Sequence, residues 1–127
     1  MGLIQGALIP LVKNSRMALS GHLTAVQCGM ALAIFGVIWS LVELPLFLGL
    51  FVDYFVAYGS ALGFILIWLG ITIASVTGAS KALPIAGAGF SAGITTEFTV
   101  KVMVRSGSLL SLIACTLLAF GLLAILG

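Results

Sequence analysis

Three long stretches of this chain carry no charged side chain: Leu19 to Leu41, Ala61 to Thr77, and about Ser106 to Leu126. A helix that crosses a bilayer needs roughly 20 consecutive apolar residues, because hydrocarbon offers its backbone no hydrogen-bond partner. Each stretch reads as such a helix. A further apolar segment, Gly2 to Val12, contains Pro10 and falls short of that length. Composition carries the same message. Of 127 residues 62% are apolar and 6% are charged, where a soluble domain has about 25% charged residues. Five basic and three acidic side chains cannot cover a water-facing surface, so lipid must solvate most of it. The expectation is one all-α domain over residues 1–127, an integral membrane bundle of about four transmembrane helices with the first one short.

Proline disfavours helix at the residue before it, so Glu43 and Pro45 close the second helix. Leu46 to Gly78 is too long for one span and is split near Asp53 to Gly59. Ala61 to Thr77 is the firmer part. A connection rich in Gly and Ala follows, Gly78 to Gly93, and Thr96 reads as an N-cap with Glu97 in the first turn of the last helix. Lys13 and Arg16 lie between spans one and two. Lys81, Lys101 and Arg105 lie between or beside spans three and four, while Glu43 and Asp53 lie between spans two and three. With four spans the basic connections share one side, which the positive-inside rule makes cytoplasmic. A multi-pass protein of the cell (inner) membrane with both termini outward is the expected topology, and the lipid bilayer is its first partner. The small net charge of +2, without a basic run, argues against nucleic acid.

His22 is the only histidine. Ionisable groups in membranes are costly and mark function by default, and imidazole is a common haem ligand. At helical spacing below it come Ala25, Val26, Gly29, Ala33 and Gly36, a face nearly free of bulk. Two readings stay open: a flat macrocycle could lie on that face, or another helix could pack there in small-xxx-small fashion. Trp68 falls mid-span and its N–H needs a partner, which a binding cavity could supply. Thr72, Ser75 and Thr77 are expected to bond back to carbonyls of their own helix. Trp39, Tyr54 and Tyr58 read as anchors at the membrane boundary. Glu97 and Lys101, four apart, read as a solvated helix-face pair. Cys28 and Cys115 read as small buried hydrophobes. The GAG run, Gly87 to Gly89, lacks the context of a phosphate loop.

Three stretches together resemble the hydroxylaminobenzene mutase family of small membrane proteins. The first is Ile9 to Gly29, with Pro10, Asn14, Arg16 to Ser20, His22, Leu23 and Gly29 matching the family's elements. The second is Gly63, Trp68-Leu69, Ala74 and Gly78. The third is LPIAGAG, Leu83 to Gly89, followed by Glu97. The resemblance implies an isomerase that rearranges an arylhydroxylamine to an aminophenol, acting on a small aromatic substrate. The family is also similar to styrene oxide isomerase, a trimeric membrane enzyme that uses haem b as a Lewis acid. By that resemblance His22 would ligate the haem metal and Ala25, Val26, Gly29 and Ala33 would contact the cofactor, in a homotrimer. Cys28, Leu62, Ile67 and Trp68 fall at the substrate pocket. Three of these depart from the family, which has Asn, Tyr and Asn where this chain has Cys28, Leu62 and Ile67.

Overall fold

The computed structural model describes residues 2–39 and 49–126. Four α-helices appear among them: α1 (Gly2–Leu8), α2 (Ser15–Ile38), α3 (Gly49–Thr77) and α4 (Ile94–Leu126). A single 3-10 turn, Ile9–Leu11, carries Pro10 at the end of α1. Glu43, Pro45 and the expected end of the second span at Leu41 lie outside the described residues. The all-helical bundle with a short first member is the architecture expected from the sequence. α2, α3 and α4 are each long and apolar enough to cross a membrane, and the protein is a multi-pass membrane protein.

Three boundaries differ from the expectation, the first being that α2 starts at Ser15, ahead of Leu19. Asp53 to Gly59 does not split the third segment, since α3 runs unbroken for 29 residues. At 1.5 Å per residue α3 is about 43 Å long, well beyond the roughly 30 Å of hydrocarbon. Asp53, Tyr54 and Tyr58 therefore ride on a helical extension toward the boundary and need no turn. α4 starts at Ile94 instead of Thr96, with the Glu97 N–H bonded to the Gly93 carbonyl. The first segment, Gly2–Leu11, reaches only about 15 Å, half the hydrocarbon thickness. It packs beside α2.

α3 and α4 form the tightest pair. Gly63 and Gly107 face each other so closely that a Cβ on Gly107 would lie 2.7 Å from the Gly63 carbonyl oxygen, and one on Gly63 would lie 2.9 Å from the Gly107 oxygen. Small residues bring backbones together in lipid, where dispersion has to drive helix association. Ser111 shares this crossing and bonds its hydroxyl to the Gly107 carbonyl at 2.8 Å. Outward-facing Leu109, Leu112, Phe120, Met30, Ile34 and Val37 are exposed, as suits side chains solvated by lipid tails.

The basic end of the bundle is knitted by Asn14. It is fully buried and caps α2 by accepting from the Met17 N–H at 3.1 Å. Its side-chain amide donates to the Ala86 carbonyl at 3.0 Å, and its backbone N–H donates to the Ser75 carbonyl at 2.9 Å. One residue thus ties α2, the end of α3 and the 79–93 connection. Gly78 closes α3 with a left-handed φ of +84°, the conformation that favours glycine. Lys13 donates to the nearby Thr77 carbonyl at 3.2 Å, placing a cation at the helix C-terminus. Beneath this cap Met17, Ile71, Ala74, Ala79 and Val100 form a core, covered by Leu83, Ala86 and Ala92 of the connection. A second core at the opposite end joins Val52, Val56 and Leu118, with Phe35, Ile38 and Trp39 packed on it.

Candidate functional site

α2 touches the rest of the bundle at its two ends. Its buried residues are Met17, Ala18 and Gly21 in the first two turns. Phe35, Ile38 and Trp39 contact the distal core. Midway it stands off from α3 and leaves a cavity of about 280 Å³ lined by Gly2, Ala25, Cys28, Gly29, Leu32, Phe64, Ile65 and Trp68. A second void of about 250 Å³, sharing Leu32 and bounded by Phe35, Gly36 and Trp39, continues the seam toward the distal end. An apolar cavity of about 150 Å³ already holds benzene, so the first cavity has room for a substituted arene. Gly29 and Ile65 at its rim are exposed, so lipid adjoins it.

His22 sits one turn before Ala25. α1 lies over it: a Cβ on Gly6 would come 3.0 Å from both Nδ1 and Cε1 of the ring. His22 Nδ1 lies 2.7 Å from the Gly2 carbonyl oxygen. A carbonyl can only accept, so this contact assigns the proton to Nδ1 and leaves the Nε2 lone pair free. That is the tautomer a metal-bound imidazole takes when a carbonyl orients it. The donor chemistry therefore fits an axial haem ligand. The face below also has room, because nothing lies within 4 Å of a Cβ built on Gly29 or Gly36. The small-residue stripe is not an internal packing seam, apart from Ala25 and Val26, which meet Gly2. No cluster of three or more His, Cys, Asp or Glu side chains exists among the described residues.

Trp68 and Cys28, named from the sequence, meet at this cavity. Leu62 and Ile67 do not. Leu62 is half-exposed, and Ile67 packs against Gly107 in the α3–α4 crossing. Val26 touches Gly2 from the α2 side, and Ala33 faces outward. The Trp68 N–H has its partner, though not in a ligand: it donates to the Gln5 side-chain oxygen. Gln5 also donates from Nε2 to the Thr72 hydroxyl at 3.1 Å, and that hydroxyl donates to the Trp68 carbonyl at 2.8 Å. Ser75 and Thr77 likewise bond back within α3. Gln5 escaped the sequence reading. The signal was present as one amide in an otherwise apolar half-span, which lipid would not solvate.

Glu97 also departs from its expected role. It is 4% exposed and forms no helix-face pair with Lys101. One carboxylate oxygen accepts from the Ser80 N–H at 2.9 Å and the Ala92 N–H at 3.4 Å, and the other accepts from the Lys81 N–H at 2.9 Å. It staples the connection to the start of α4, where the helix dipole favours an anion.

These features define a class: a multi-pass α-helical membrane protein with an arene-sized cavity beside one oriented imidazole. Two curated proteins from Ectopseudomonas oleovorans are similar to the chain. Hydroxylaminobenzene mutase HabA is 38% identical over 87 residues, 68% of this chain and 62% of that protein. Hydroxylaminobenzene mutase HabB is 32% identical over 123 residues, 96% of this chain and 73% of that protein. The chain belongs to the hydroxylaminobenzene mutase family. It spans less than two thirds of the length of HabA. No family model matches the chain, and no solved structure does.

Proposed function

We propose that this protein is a membrane-embedded isomerase, an intramolecular transferase that rearranges a small aromatic hydroxylamine or epoxide. The observation that carries the reading is the cavity between α2 and α3, walled by Trp68 and Phe64 and adjoining His22 through the shared residue Gly2. An arylhydroxylamine and an aminophenol are isomers. The N–O bond breaks, a ring C–O bond forms, and a ring hydrogen moves to nitrogen, so no outside oxidant is needed. Such substrates partition into lipid, where this cavity lies. Trp68 and Phe64 would hold the arene by its faces, and the apolar lining would keep water from the N–O bond as it breaks.

Haem b is the cofactor of this proposal, and His22 would hold it through Nε2, with the open positions Gly29 and Ala33 on the same helix beside it. When bound it would supply a Lewis-acidic iron for the substrate oxygen or nitrogen. The chain's own share is to fix the imidazole tautomer, exclude water and position the ring. The uncovered face of α2 further supports a homo-oligomer, which we propose to be a homotrimer in the inner membrane. One observation favours a second reading, a non-catalytic membrane protein that holds haem, lipid or a partner helix. The cavity offers no unengaged polar group beyond the Cys28 thiol, since Gln5 occupies the Trp68 N–H.

The test is one purification in detergent. A visible spectrum should show a Soret band, or gain one on adding haem, and phenylhydroxylamine should turn over to an aminophenol. Haem binding without turnover would support the second reading. A protein that neither binds haem nor converts the substrate would end the enzymatic one.

A further inference from the structure

Three residues of α1 make contacts aimed at the site. The Gly2 carbonyl accepts from His22. The Gly6 backbone seats the imidazole ring. Gln5 holds the Trp68 indole and the Thr72 hydroxyl. Gln5 is 8% exposed and reaches α3 by crossing α2 at Gly21. A Cβ on Gly21 would strike the Gln5 amide nitrogen and would lie 3.2 Å from its carbonyl carbon. Sequence and geometry agree here: an amide in lipid needs partners, and a residue without a side chain opens its path to them.

We infer that Gln5 is the positioning residue that sets which part of Trp68 faces the cavity, and thereby makes the cavity selective for neutral arenes held by ring contacts. The inference deepens the isomerase reading and rests on it for the identity of the substrate. Gln5 consumes the only N–H of the indole, so Trp68 offers the cavity its hydrocarbon surface and not a donor. With Ala25, Leu32, Phe64 and Ile65 completing the lining, no side chain but Cys28 can donate to a polar ring substituent. A ligand is then chosen by shape and by its π-face. Freed from Gln5, the Trp68 indole would lose the bond that fixes its orientation, and its ring contacts with the arene would weaken. Thr72 buttresses the arrangement by receiving the other end of the same amide.

The test uses the full-length protein in detergent with 15N-labelled tryptophan. Trp39→Phe leaves Trp68 as the single indole. Its N–H resonance reports the hydrogen bond directly and also follows titration with nitrobenzene, a neutral arene that needs no turnover. Gln5→Leu should move the resonance upfield and weaken nitrobenzene binding by about tenfold, in line with one buried hydrogen bond of about 1–1.5 kcal/mol. Gln5→Glu, which keeps an acceptor at the same reach, should restore most of both. Gly21→Ala, which displaces Gln5 without altering it, should reproduce the Gln5→Leu spectrum. In phenylhydroxylamine assays KM should rise with kcat held within about twofold, the mark of lost uniform binding. An unchanged indole resonance or unchanged nitrobenzene affinity in Gln5→Leu would overturn the inference, as would a wild-type protein that does not bind nitrobenzene. If the wild type binds nitrobenzene and responds to Gln5→Leu yet leaves phenylhydroxylamine untouched, the mutase reading fails and the positioning role stands.

Discussion

Replacing Asn14 separates two roles that one side chain plays. Its amide oxygen caps α2 through the Met17 N–H, and its amide nitrogen reaches the Ala86 carbonyl in the 79–93 connection. Loss of an N-cap costs about 1 kcal/mol. Leaving a buried carbonyl unpaired costs about 1–3 kcal/mol. Asn14→Ala removes both, a loss of about 2–4 kcal/mol measured against a fully unfolded chain. Asn14→Ser keeps a good cap but is too short to reach Ala86, so it isolates the second arm at about 1–3 kcal/mol. Transmembrane helices survive in the denatured state when the bundle comes apart in SDS, as the two-stage picture of membrane folding holds. The cap then persists on both sides of the equilibrium and largely cancels. Titration from a mild detergent into SDS, read by loss of tertiary fluorescence, should therefore give nearly the same loss for Asn14→Ser and Asn14→Ala. A serine variant as stable as wild type would refute the assignment of the tie to Ala86.

Three further outcomes are expected. Gly63→Ala should lose about 1–3 kcal/mol by overpacking, because its Cβ would meet Gly107 and Ser111 backbone atoms at 2.9 Å; the control Gly29→Ala, with nothing within 4 Å of its Cβ, should stay within about 0.5 kcal/mol of wild type in the same titration. Glu97→Gln leaves an amide NH2 facing a backbone N–H and should cost about 1–3 kcal/mol, read as faster proteolysis of the 79–93 connection. His22→Ala should abolish both the Soret band and turnover while leaving the bundle folded by circular dichroism, and retention of either would remove His22 from the proposed site.

The bundle could be read from the sequence because bilayer physics is one-dimensional: length and charge along the chain place the spans. The same physics placed the basic residues together, and Lys13 bonded to the end of α3 shows that two basic connections share one end. What escaped was set by three-dimensional neighbours. Glu97 looked like one half of a pair with Lys101, since spacing reveals partners on the same helix and not the N–H groups of a folded-back connection. Ile67 and Leu62 were drawn to the pocket by their places in a motif, but a helix presents consecutive turns in different directions. One turned to α4 and the other outward. Cys28 and Trp68 survived because they lie on the facing sides of α2 and α3. Gln5 stands out in the sequence as an amide in need of partners, but the spacing does not show which, as they lie 63 and 67 residues away.

The exposed middle of α2 has a consequence for traffic. Among the described residues α1 covers α2 only as far as Ala25 and Val26, and Met30, Ile34 and Val37 beyond them are exposed, so acyl chains there border the seam directly. A solute dissolved among those chains reaches the aromatic walls by sideways diffusion and never has to pass the headgroup layer. Uptake would then follow the oil–water partition of the compound, and the membrane itself would act as the first filter and as the reservoir.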